Sequence, residues 1–181
     1  FLTNTILIIF SFYLFFVTTR DFVIKKFKNL SQNLAHFGFS LFILSILFNN
    51  IFSSEIITNL KIGDTFENKK FKINFESVVQ KNEKNFQAII GKFKVVDLNG
   101  AVEVLKPELR VYNQPNITTS EAAIKTSLFS DRFITMNLVQ NQKYFNVRYQ
   151  VKPLMFWIWL SVFLIICAGL IRLFQRDIYE N

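Results

Sequence analysis

The chain has little of what most catalytic centres are built from. Among its 181 residues there is one histidine and one cysteine, with 5 glycines and 3 prolines. A single thiol, Cys167, excludes an internal disulfide and a multi-thiolate metal site. It lies in an apolar run and reads as a small buried hydrophobe. The long stretch 53–152 has neither His nor Cys, so it can assemble no Ser-His-Asp, Cys-His or zinc constellation. Glycine is too sparse for a phosphate-cradling loop. Glu103, Glu108 and Glu121 could be drawn as a carboxylate set, but their spacing fixes no geometry; a solvated sheet face is the simpler reading. Between Ile51 and Lys152 there are 15 Lys/Arg against 10 Asp/Glu, dispersed rather than striped. That argues against nucleic acid as a partner, while leaving room for an acidic one.

Apolar residues are what the chain has in quantity. They make up 51% of it, yet charged residues still reach 19%. This mixture fits membrane segments joined to a polar domain. A spanning helix needs about 20 mostly apolar residues, and three segments qualify: 1–19, 33–52 and 153–174. The first opens directly on Phe1, which reads as part of a longer protein. Trp157 and Trp159 lie near the start of the third, where aromatic belts are expected. The loop 20–32 carries Arg20, Lys25, Lys26 and Lys28 against Asp21, and the tail 175–181 carries Arg176, just after Arg172. Short basic loops stay cytoplasmic. Both fall on one side if the second span runs outward and the third returns, which leaves 53–152 facing outward.

The outward stretch reads as β. In "KFKINFESVVQ", Phe71, Ile73 and Phe75 alternate with Lys72, Asn74 and Glu76, the period of a half-buried strand. "FQAIIGKFKVVDL" and "AVEVLKPELRVY" flank Asn99-Gly100, a hairpin signal. "RFITMNLVQ" and "KYFNVRYQV" read as a second hairpin, and "KIGDTFENKKF" as an earlier turn and strand edge. The fold class expected is a membrane protein: α-helical transmembrane spans plus a small extracytoplasmic antiparallel β domain, a sandwich or open barrel.

His36 stands near the start of the second span. An ionisable residue inside a span is costly and is a functional hypothesis by default. Two readings compete. One is an interfacial imidazole hydrogen-bonded to a headgroup or carbonyl. The other is a metal or haem ligand, a role imidazole commonly fills. Gly38, two residues on, leaves the backbone bare for a flat macrocycle or another helix.

Several ordered elements resemble one family. "LAHFG" at Leu34–Gly38 is similar to a Leu-Ala-His-X-Gly element in the C-terminal part of CcmF, the cytochrome c biogenesis haem lyase. "KIGDTF" resembles the element opening that family's outer domain. Pro107, Glu108, Arg110 and Tyr112, then Ser120 to Ile124, resemble its Pro-Glu-X-Arg-X-Tyr and Thr-Glu-Ala-Ala-Ile elements. "VKPLMFWIWL" resembles the Lys-Pro and Trp-Ile-Trp element of its last span. Two positions depart: Ser120 replaces threonine, and Phe156 stands where many members have a polar residue.

The resemblance implies a component of a membrane machine that takes haem from a haem chaperone. That machine joins the haem to apocytochrome c, alongside thiol-reducing maturation subunits. It implies a buried haem b that keeps the incoming iron reduced, with His36 as one axial ligand of its iron and the opposite ligand outside this chain. The setting implied is the bacterial cytoplasmic (inner) membrane with the β domain in the periplasm, the mitochondrial inner membrane being the alternative. The competing expectation is a membrane-anchored scaffold module that binds no haem itself.

Overall fold

The structure is a computed structural model describing residues 2–25, 29–97, 100–139 and 144–179; the side chains of 2, 4, 25 and 175–179 are not described. Asn99, Lys26 and Lys28, and the side chains of Lys25 and Arg176, therefore lie outside the described residues. The chain divides into two compact units, one of helices (1–53, 126–131 and 152–181) and one of strands (54–125 and 132–151).

The helical unit holds α1 (Leu2–Lys25), α2 (Leu30–Phe52) and α3 (Met155–Tyr179). Each is long and apolar enough to cross a membrane. All three overrun the limits set by apolarity alone. The expected loop 20–32 is mostly helix, since α1 continues to Lys25 and α2 begins at Leu30; α3 continues past Phe174. Charged residues end an apolar run without ending a helix, because long basic side chains extend toward the interface while the backbone stays helical. Cys167 is half-buried rather than buried.

The helices use two kinds of contact. Between α1 and α2, aromatic rings interlock: Phe37 meets Phe15 at 5.7 Å and Phe22 at 5.6 Å, and Phe12 meets Phe48 at 5.7 Å. The Thr18 and Ser40 hydroxyls hydrogen-bond at 2.7 Å inside this contact. Between α2 and α3 the residues are small. Ser31, Gly38 and Ser45 recur every seven residues on α2, and Ser161 and Ala168 do so on α3; all five are buried. The Ser31 hydroxyl donates to the Ala168 carbonyl at 2.7 Å. In lipid, helices associate through such close backbone approach, since apolar burial offers no advantage there.

The strand unit is a sandwich of two sheets. One has the order β1 (Ser54–Leu60), β10 (Phe145–Pro153), β9 (Ser130–Leu138), β8 (Ala123–Lys125). The other runs β2 (Thr65–Glu67), β3 (Phe71–Asn82), β4 (Phe86–Asp97), β6 (Glu108–Tyr112), β7 (Thr118–Glu121), with β5 (Val102–Leu105) also on β4. The alternation read in β3 holds: Phe71, Ile73 and Phe75 are buried. "AVEVLKPELRVY" is two strands rather than one. Pro107 cannot donate to a ladder, so the chain pairs with β4 as β5, breaks, and resumes as β6. The Pro107 carbonyl accepts from Gly91 N–H at 3.0 Å.

Phe75 and Phe93 stack at 4.3 Å in the core, with Phe145 edge-on to Phe75 at 5.4 Å. Gly91 is what admits them. A Cβ there would lie 2.6 Å from Met136 Sδ and 2.7 Å from Phe93 Cε2. Arg132 of β9 adds a polar tie between the sheets: Nη1 lies 2.9 Å from Glu103 Oε2, and Nη2 3.4 Å from Asp97 Oδ2. The three carboxylates considered together are thus separated. Glu103 is in this half-buried cluster, whereas Glu108 and Glu121 are register neighbours on β6 and β7, with Arg110 bonded to Glu108 at 2.9 Å.

Two predictions follow from the packing. Gly91→Ala should destabilise the sandwich by about 1–3 kcal/mol through overpacking, read as a lowered unfolding midpoint. Tyr149, 3% exposed, has its phenol pushed up to about 12, chiefly by burial. Its folded pKa lies above the ordinary tyrosine value of 10.0, so the native state holds the proton longer. Stability is complete below about pH 10 and falls as pH rises through about 12. Tyr149→Phe should flatten that alkaline fall; an unchanged slope would assign the fall to other groups.

Candidate functional site

α2 presents three faces. Ser31 and Gly38 meet α3, and buried Ser45 continues their spacing. Phe37, Ser40 and Phe48 meet α1. A third stripe, Gln32, His36, Phe39, Ile43, Ile46 and Asn50, is exposed except for half-buried Ile43. The spacing of three and four residues places these six along one side of the helix.

His36 is therefore directed away from both neighbouring helices. It is exposed, and among the described residues it has no hydrogen-bonding or charged partner. Its place on α2 is six residues from Leu30 and sixteen from Phe52, about 9 Å and 24 Å along the axis at 1.5 Å per residue. Arg20 and Arg172 lie toward the Leu30 end, because α1 ends there and α3 runs antiparallel to α2.

The uncovered faces of α2 and α3 differ in kind. On α3 the exposed stripe is Phe156, Trp159, Phe163, Ile166, Leu170 and Leu173, which acyl chains can cover. On α2 the stripe carries Gln32, His36 and Asn50 among apolar residues. Polar side chains inside a membrane need partners, and acyl chains offer none.

Gly38 resolves one alternative. The space it leaves is filled by α3: a Cβ there would meet Ile165 Cγ1 at 3.0 Å, the Ser161 carbonyl oxygen at 3.2 Å and Leu164 Cβ at 3.3 Å. The bare backbone serves a helix and not a macrocycle. By fixing the rotation of α2, it determines that His36 points outward.

The donor set is a single nitrogen. Among the described residues no group of three or more His, Cys, Asp or Glu could hold a metal ion. One imidazole suits a metal that arrives with its remaining ligands, as iron does in a porphyrin. The exposed Phe39 nearby, with Ile46 further along the same stripe, offers apolar surface for such a ring. The α2–α3 contact that orients His36 went unread in the sequence. Its signal was the heptad recurrence of small residues in two apolar runs.

Three membrane-length helices, one outward imidazole and an antiparallel sandwich define a polytopic membrane protein with a β domain. Residues 51–153 match the family model described as the CcmF C-terminal beta-sandwich, more than half of the chain, and the chain belongs to the CcmF family. The cytochrome c-type biogenesis protein CcmF of Haemophilus influenzae is 28% identical over 145 residues, covering 79% of this chain and 22% of that protein. CcmF of Escherichia coli K12 is 26% identical over 141 residues, covering 78% and 22%. The cytochrome c-type biogenesis protein ccl1 of Rhodobacter capsulatus is 31% identical over 122 residues, covering 67% and 19%. The solved structure of the cytochrome c heme lyase CcmF superposes with a TM-score of 0.65 at 18% identity, over 90% of this chain and 28% of that one. The chain thus spans about a fifth of the length of the curated relatives it matches.

The packing predicts a crosslink. With Cys167→Ala as background, Ser31→Cys and Ala168→Cys should join under mild oxidation. Adding Gly38→Leu should slow this several-fold, and unchanged crosslinking would refute the tight α2–α3 contact.

Proposed function

We propose that this chain forms the C-terminal, haem-anchoring part of a haem lyase in cytochrome c maturation, with His36 as one axial ligand of a b haem. The observation that carries this is the direction of His36. It faces away from the helices packed around α2, at membrane depth, with no partner among the described residues. The family supports the same reading.

In this scheme the protein side of the site divides simply. His36 offers one ring nitrogen to the iron. Its other nitrogen requires an acceptor, which fixes ring orientation and ligand basicity. The small-residue contact with α3 holds the rotation of α2. Phe39, Ile43 and Ile46 supply an apolar wall that keeps water from the site. Any further protein ligand to the iron would come from outside this chain. When bound, the haem supplies a redox-active iron whose potential is tuned by ligand type and burial, suited to keeping incoming haem reduced.

The substrates proposed are haem delivered by a haem chaperone and the thiols of apocytochrome c, with thiol-reducing subunits as partners. The basic residues at one end, Arg20, Lys25, Lys26, Lys28, Arg172 and Arg176, support a cytoplasmic placement for that end. Residues 53–152 then lie outside the cytoplasm, in the periplasm of a bacterium, where the sandwich docks partners.

A reduced-minus-oxidised visible spectrum of the protein carrying this chain tests the proposal. His36→Ala should abolish the b-type bands while membrane insertion and protein level persist. Bands that survive the substitution, or a wild type without them, would leave His36 structural and favour a scaffold that binds no haem.

A further inference from the structure

The β8–β9 connection with the first two residues of β9, Thr126–Asp131, belongs to the helical unit. It is a tight polar turn with an apolar tip. The Ser127 hydroxyl donates to the Ser130 carbonyl at 2.6 Å and accepts from Ser130 N–H at 3.1 Å, while Ser127 N–H donates to Asp131 Oδ1 at 3.3 Å. These bonds tie the ends of the turn together and leave Leu128 and Phe129 projecting, 54% and 72% exposed. Phe129 is as open as the outward residues of the spans, where Trp159 is 68% and Phe174 69% exposed.

The turn is tied to the first turn of a membrane span. The Phe129 carbonyl accepts from Leu154 N–H at 2.9 Å, and the Leu154 carbonyl accepts in turn from Ile158 N–H at 3.1 Å. Leu154 holds a left-handed backbone, φ 58°, a conformation that disfavours a leucine. It is retained where the peptide N–H meets the turn. On the other side the Asn49 side chain donates to the Pro153 carbonyl at 2.6 Å, linking the end of α2 to the same junction. The Leu128–Phe129 tip therefore sits at the level where α2 ends and α3 begins, together with Phe52, Phe156, Trp157 and Trp159. Aromatic residues at that depth mark the boundary between headgroups and acyl chains.

We infer that Leu128 and Phe129 insert into the bilayer interface beside the start of α3, making the β8–β9 turn a lipid-binding wedge. The occupant is lipid because the tip continues the apolar surface of a membrane span at its end. Short apolar side chains on such a turn can enter the interfacial layer, where water and headgroups are still present to meet backbone polar groups. Lys125, exposed and immediately before the turn, adds attraction to anionic headgroups. This inference rests on the membrane spans and is independent of haem binding.

The test uses the protein carrying this chain, freed of its native cysteines and reconstituted in phosphatidylethanolamine–phosphatidylglycerol vesicles. A spin label is placed at Phe129→Cys, Leu128→Cys, Phe163→Cys as the lipid reference, or Val79→Cys as the water reference. Collision with oxygen should exceed collision with a water-soluble nickel chelate at 128 and 129. Their ratio should approach that at 163 and lie several-fold above that at 79. A ratio like that at 79 would overturn the inference. So would shielding from both reagents, which would place a protein partner on the tip instead.

Discussion

The close approach of α2 and α3 is the constraint on which the helical unit depends. Gly38 meets Ser161, Leu164 and Ile165 so closely that a methyl group would have to push them back by a few tenths of an ångström, and the Ser31 hydroxyl reaches a carbonyl of the facing helix. A rotation of α2 by one residue would drive Phe37 or Phe39 into that contact. The fit therefore specifies more than proximity. It decides which side of α2 is sealed, which meets the aromatic rings of α1, and which is left with the imidazole. An interior residue without chemistry of its own thus orients the residue that has it.

The strand unit achieves its own specificity by different means. Its apolar core is closed around Gly91, where Phe93 and Met136 take the space a side chain would need. Arg132 adds two carboxylates from the opposite sheet. The Glu103 oxygen it faces is buried and, among the described residues, accepts no aligned hydrogen bond, so the ion pair with Arg132 is what answers this half-buried carboxylate. Removing the arginine would leave it uncompensated, a costlier state than replacing the whole cluster by apolar residues. Ser120 bonds the Met136 carbonyl at 2.8 Å, bringing β7 to β9; a threonine hydroxyl could make the same bond, so this departure from the family pattern is chemically mild.

Much of this was legible in the residues. Long apolar runs gave three spans, period-two alternation gave β3, and hairpin signals gave β4, β9 and β10. What stayed hidden has physical reasons. β7 and β8 have four and three residues, too few for a period to show. β1 follows α2 so closely that its alternation merges with the end of the span. The helix ends did not show because Arg20 and Lys25 are compatible with helix. Glu108 and Glu121 become neighbours through strand register, which spacing along the chain does not reveal. His36 stood out by type alone; its direction required the small residues seven apart on two helices.

The place of His36 along α2 also has an electrical meaning. The voltage across a membrane falls along the helix axis, and the imidazole is much nearer Leu30 than Phe52. A charge moved between the Phe52 end and His36 crosses roughly three quarters of the helix, and so does work on the order of 1.7 kcal/mol per 100 mV. From the Leu30 end the same charge crosses only about a quarter, roughly 0.6 kcal/mol. A redox centre held by this residue would be electrically close to the basic end, and exchange of electrons with the other end would be gated by the membrane potential.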